Sequence, residues 1–180
     1  MKKALSRLII VFFFLCHYGE GYAADSVYLF KEAHLMLNIP NSHWHLQPKQ
    51  DKNGFIIYVF KRDPILDSAD RNIIPNAAVV IEKIDSSTDV VTYSVNKRAT
   101  GFFSVKEMFT HEDGTINYIN AVGYKGTYID KTSLSHTVYV VHAINGDRGL
   151  QIILDTTTET FPAIDAEFLQ ILKSVRKQMD

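Results

Sequence analysis

His43 and His45 flank Trp44 in the segment Ser-His-Trp-His-Leu. In an extended chain residues two apart point to the same side, so the two imidazoles would face one point, which is how a site for a divalent transition metal begins. Two ligands are fewer than such an ion takes from a protein. His34, His111, His136, His142 or a carboxylate would have to join them. The competing reading turns Trp44 into the core and leaves its neighbours as exposed polar residues. His142 alternates with Val138, Val140 and Ile144 on one face of an apolar run. It reads as a hydrogen-bonded core histidine, with a buried acid or base as the alternative. Tyr124 and Tyr128 also share a strand face and, with Trp44, are candidates for a ligand or partner surface. A cross-strand aromatic ladder is the favoured explanation of the two tyrosines, and Gly123 and Gly126 beside them mark a bulge or a close backbone approach.

Asp63, Asp67 and Asp70 fall in a charged stretch between two apolar runs. Lacking the spacing and glycine of a calcium loop, they read as a solvated loop. The sequence holds no G-x-S-x-G elbow, no phosphate-binding loop, no H-E-x-x-H and no G-x-G-x-x-G, and Ser104, Ser133 and Ser135 have no signature neighbours. No catalytic residue and no cofactor is assigned, and the balance favours a protein that is not an enzyme.

The elements that must position these residues follow from periodicity. Residues 55–61 and 77–84 are β-branched and aromatic runs bounded by Gly54, Pro64 and Pro75, hence strands. Both are apolar on alternate faces, which predicts central strands covered on two sides. Residues 26–40 fit either a helix or a strand, with a strand favoured for the second half. Residues 86–99 carry Ser, Thr and Asp at the start and bases at the end, as a helix prefers, although Val90, Val91 and Val95 lean toward strand. A hairpin is expected around Glu112-Asp113-Gly114, from strands 102–109 and 116–129, and a second around Asn145 to Gly149. The chain closes with a helix over 160–178, where Ile164, Phe168, Ile171, Leu172 and Val175 form one face behind Thr160 and Pro162.

Residues 1–23 read as an export signal. Lys2, Lys3 and Arg7 precede nine apolar residues from Leu8 to Cys16, and Gly21 and Ala23 offer small side chains for cleavage after Ala23. A nine-residue helix rises about 13 Å, less than half of a hydrocarbon core of roughly 30 Å, so no stable membrane anchor is expected. Phe13, Phe14 and Leu15 before Cys16 argue against lipidation there. The remaining chain, residues 24–180, has no cysteine, which excludes a disulfide framework and a thiolate nucleophile. Its size fits one domain. Removing Lys2, Lys3, Arg7 and Glu20 leaves 16 basic and 19 acidic residues, a net charge near −3, which disfavours nucleic acid as a partner.

The order of these features resembles the PsbP-like superfamily. The residues that carry the likeness are Ile39-Pro40 followed by Trp44, the strands around Ile57 and Val79, the strand from Gly123 to Tyr128, the Thr-Val-Tyr-Val-Val run at 137–141, and the final helix Glu-Phe-Leu-Gln-Ile-Leu-Lys-Ser-Val at 167–175. The likeness implies an α+β fold, an antiparallel β-sheet with helices packed on its faces, used for binding or assembly. It transfers no functional residue. The expectation is therefore a periplasmic or secreted, monomeric binding domain of the bacterial cell envelope whose partner is an envelope protein or a small ligand. The alternatives are a metal-dependent hydrolase or metal-binding protein built on His43 and His45, and a secreted factor acting on another cell.

Overall fold

Alternation of buried and half-buried residues, the signature of a strand on a covered face, governs most of this chain. The computed structural model describes residues 26–101 and 103–178; the export signal expected in residues 1–23, its expected cleavage after Ala23, and Cys16 lie outside them. Strands β1 (Ser26–Phe30) and β2 (Leu35–Ile39) form an antiparallel hairpin in which Phe30, Leu35, Leu37 and Ile39 face the core. The open choice over 26–34 is thus settled as strand and turn, with His34 in the left-handed region at φ 49°.

Next come β3 (Trp44–Leu46), β4 (Gln50–Lys52) and β5 (Phe55–Arg62), then a short hairpin of β6 (Ile65–Leu66) and β7 (Asn72–Ile73), then β8 (Asn76–Lys83). Helix α1 (Val90–Ala99) follows, capped by Asp89, whose carboxylate accepts from Val91 N and Thr92 N at 2.9 Å each. The rest is β9 (Ser104–Phe109), β10 (Ala121–Ile129), β11 (Ser135–Asn145), β12 (Arg148–Thr157), helix α2 (Phe161–Lys173) and β13 (Arg176–Lys177).

The main sheet runs β3-β5-β8-β12-β11-β10-β9, with β4 also on β5, and its pairs are antiparallel. Helix α1 lies over β10 and β11 on one face, while α2 and the small sheet β1-β2-β13 cover the other. Phe168, fully buried at the centre of α2, meets the rings of Trp44, Phe161 and Tyr139 at 6.1, 6.2 and 6.5 Å. Each large apolar side chain so buried contributes about 1.5–3 kcal/mol.

Four expectations change. Strand β5 is not central and covered twice: β3 and β4 flank its outer side, and α1 sits over β10 and β11 instead, leaving Ile57 and Val59 half-buried. The final helix ends at Lys173; Val175 is buried as expected but belongs to the turn before β13. Strands β9 and β10 do pair, yet Glu112-Asp113-Gly114 is a helical turn closed by Gly114 at φ 69°. Residues 115–120 then run as a loop anchored by fully buried Ile116 and by the Tyr118 hydroxyl, which donates to Ile144 O at 2.8 Å. Finally, the stretch after β5 is organised: Asp67 is buried and accepts from Ala69 N, Arg71 N and Arg71 Nε at 2.9, 2.9 and 2.6 Å.

Candidate functional site

Helix α1 lies on the face of β10 and β11, and its Tyr93 also reaches β12, where a Cβ on Gly149 would stand 2.6 Å from the Tyr93 ring. On β10, a Cβ on Gly126 would stand 2.4 Å from Phe103. The β9–β10 register shifts between Lys125 and Gly126, so the bulge and close approach expected of Gly123 and Gly126 are both present.

Under the helix lies a polar chain. Ser94 Oγ is 3.0 Å from His142 Nδ1 and 2.8 Å from the Tyr124 hydroxyl, and Ser94 and His142 are each 1% exposed. Burial, together with the positive charges of Lys97 and Arg98, pulls the His142 pKa down to about 4. The imidazole is therefore neutral near pH 7. Alongside, Tyr93 Oη and Lys97 Nζ both donate to Glu82 at 2.7 Å, and Arg98 lies over the rings of Phe103 and Tyr124 at 4.7 and 5.3 Å.

Above this chain opens an apolar groove of about 250 Å³, walled by Val91 and Val95 of α1, Met108 of β9, Thr110, and Val122 and Tyr124 of β10. Three of these side chains face solvent: Val91 at 61%, Val95 at 59% and Met108 at 62% exposure. Val91 and Val95, whose strand propensity made this segment ambiguous from sequence, are thus turned outward on α1.

Tyr124 is thus part of a groove, as one reading expected, and its hydroxyl joins the network beneath. Tyr128 sits on the same face but serves a second cluster. It stacks on His136 at 4.9 Å, and its hydroxyl donates to Asp155 Oδ2 at 3.1 Å; burial and the charge of Asp155 raise its pKa. Its ring also lines a broader groove of about 680 Å³ with Gly101, Phe103 and Ser135. The ladder that aromatic pairing suggested is a tyrosine–histidine one, Tyr124 with His142 and Tyr128 with His136.

Trp44 is turned into the core. It is 5% exposed, tilted against Phe168, and donates from Nε1 to Glu167 Oε2 at 2.8 Å, an acceptor that Arg62 also holds. His43 and His45 are exposed on its other side, and Asp63 meets both: His43 Nδ1 lies 2.9 Å from Oδ2 and His45 Nε2 2.8 Å from Oδ1. These two hydrogen bonds, His43 first, hold the Asp63 carboxyl below its ordinary pKa. Sequence reasoning assigned Asp63 to a plain loop. The pairing of β3 with the end of β5, a non-local fact, brings it here.

No protein-family model and no curated protein matches the chain. Solved structures do. LpqN of Mycobacterium tuberculosis, involved in cell envelope biogenesis, superposes with a TM-score of 0.59 at 13% identity over 84% of this chain and 89% of its own. The cyanobacterial PsbP of Synechocystis sp. PCC 6803 gives 0.52 at 16% identity, covering 88% and 95%. The fold is PsbP-like. A Pseudomonas aeruginosa protein of unknown function, PA94, shares this PsbP-like architecture with a TM-score of 0.52 at 16% identity over 87% of this chain and 99% of its own. Among the described residues, no helix is long and apolar enough to cross a membrane.

Proposed function

We propose that this protein is an exported, non-enzymatic binding module of the bacterial cell envelope that takes the apolar part of a partner or small ligand into the groove beside α1. The observation that carries the reading is the groove itself, with Val91, Val95 and Met108 standing exposed around it. Exposed apolar walls beside a few hydrogen-bonding groups are the usual make-up of a recognition site. The chemistry beneath favours binding over turnover. A base whose pKa lies near 4 is poorly matched to proton abstraction at neutral pH, and Ser94, which borders the groove, is only 1% exposed. The likeness to LpqN, a protein of cell envelope biogenesis, supports the location, as does the leader read in residues 1–23.

The test places a photo-crosslinking residue at Val95 in cells, with the same residue at exposed Lys131 as control. A discrete adduct from position 95 and none from 131 is expected. The absence of an adduct at 95 overturns the groove as the binding site. N-terminal sequencing of the periplasmic fraction checks the address, with Ala24 expected as the first residue.

A further inference from the structure

Beneath the last turn of α1 lies a second, smaller cavity of about 80 Å³, lined by Lys97, Arg98 and Gly101 and by His142 of β11 and Gln151 of β12, which stand opposite each other in the strand register. Donors prevail there. Lys97 is committed to Glu82 at 2.7 Å, and Tyr93 holds the same carboxylate at 2.7 Å. Arg98 has no such commitment. Its guanidinium lies half-buried over the Phe103 and Tyr124 rings, Nη1 donates to Phe103 O at 3.4 Å, and among the described residues no carboxylate pairs with it. A guanidinium carries five N–H donors, so most of them remain. The Gln151 amide has no side-chain hydrogen bond among the described residues, and His142 uses only Nδ1, toward Ser94 at 3.0 Å. The carbonyls that end α1 are already occupied: Thr100 N and Oγ1 donate to Lys97 O, and Gly101 N to Arg98 O. A half-buried cation without a counter-charge, beside two further donors in a confined space, has the chemistry of an anion site.

We propose that this cavity binds a small carboxylate, with the Arg98 guanidinium as its counter-ion and the Gln151 amide and the His142 Nε2–H as flanking donors. The polar chain under α1 sets the histidine for this role. The Tyr124 hydroxyl donates to Ser94 Oγ at 2.8 Å, Ser94 donates to His142 Nδ1, and the ring proton therefore sits on Nε2. The imidazole donates without being charged. One uncommitted positive charge matches a monoanion, and the planar fork of a guanidinium fits a planar carboxylate; a dianionic phosphate would want a second free cation, and Lys97 is spent on Glu82. The volume sets the size: about 80 Å³ is well below the roughly 300 Å³ at which sites for drug-sized ligands begin.

Titration of the isotope-labelled protein with sodium acetate at neutral pH, with ionic strength held constant by sodium chloride, tests this by NMR. Saturable shifts of the Gln151 side-chain amide and the Arg98 Nε–H signals are expected, with a Kd of about 1 mM for so small a ligand. Arg98→Gln should weaken binding by about tenfold or more and Gln151→Ala by about threefold or more, while Lys131→Gln, at an exposed cation elsewhere, binds acetate as the parent does. Circular dichroism checks that the variants are folded, and should Arg98→Gln fail to fold, Gln151→Ala decides alone. Shifts that rise without saturation, unchanged affinity in a folded Arg98→Gln or Gln151→Ala, or tighter binding of phosphate than of acetate would overturn the site.

Discussion

Acidification below about pH 6.5 should weaken this fold through His142. The group is 1% exposed, and its pKa is pulled from 6.5 to about 4 by burial and by Lys97 and Arg98. The unfolded chain takes up this proton at pH 6.5 and the folded one only near pH 4, so between those values the unfolded state binds more protons. Stability must therefore fall as pH falls through this window. At about 1.4 kcal/mol per pH unit, the loss reaches about 2 kcal/mol at pH 5 and about 3 kcal/mol at pH 4. Urea unfolding of the protein and of His142→Gln between pH 7.5 and pH 4.5 isolates the effect, because every other titrating group is common to both. The advantage of the native histidine should shrink by about 2 kcal/mol between pH 7.5 and pH 5. The His142 ring proton should also fail to titrate above pH 5 by NMR. Two curves that stay parallel, or a His142 titration near pH 6.5, would refute the claim that the imidazole is held neutral beneath α1.

Trp44→Ala should cost about 3–5 kcal/mol in urea unfolding, as large-to-small changes in a core do, and it would strip Glu167 of one donor; a loss below 1 kcal/mol would contradict the inward placement. Gly123→Ala would put a methyl group 2.0 Å from the Phe109 ring and should destabilise by about 1–3 kcal/mol or more. Gly146→Ala meets no neighbour but forces φ 60° on an L residue, for about 1 kcal/mol; both are read by thermal unfolding, and the reverse order would be inconsistent with this geometry. Val95→Asp, at an exposed position, should change stability by less than about 0.5 kcal/mol yet abolish crosslinking from the neighbouring position 91, which separates the groove's role from its fold.

The second half of the sheet was legible because consecutive strands pair with each other, so local alternation and the Gly146-Asp147 turn were sufficient to place them. Phe168 and Leu172 were legible for the same reason, their spacing along one helix. What local pattern could not reveal was contact between distant segments. Asp63 joins His43 and His45 across β3 and β5, and Ser94 meets His142 across 48 residues, partnerships decided by which strand lies beside which. Strand β13 escaped because two residues are too few to carry a period. Trp44 carried two readings at once, and only the position of Phe168 and Glu167 chose between them.

The small sheet gives the molecule a late fastener. Strand β2 has β1 on one side and, on the other, Arg176 and Lys177 from almost the far end of the chain, with Gln178 N donating to His34 O at 2.9 Å and Arg176 Nη1 to Asn38 Oδ1 at 3.0 Å. A chain that emerges from its N-terminus can complete the β1–β2 hairpin early, but the other edge of β2 must wait, unpaired, until residues 176–178 have been made. Loss of that short segment would leave the edge open to another strand, the arrangement in which proteins exchange segments or aggregate. Residues 176–178 are thus a seam, and the integrity of the first hairpin depends on a strand made some 140 residues later.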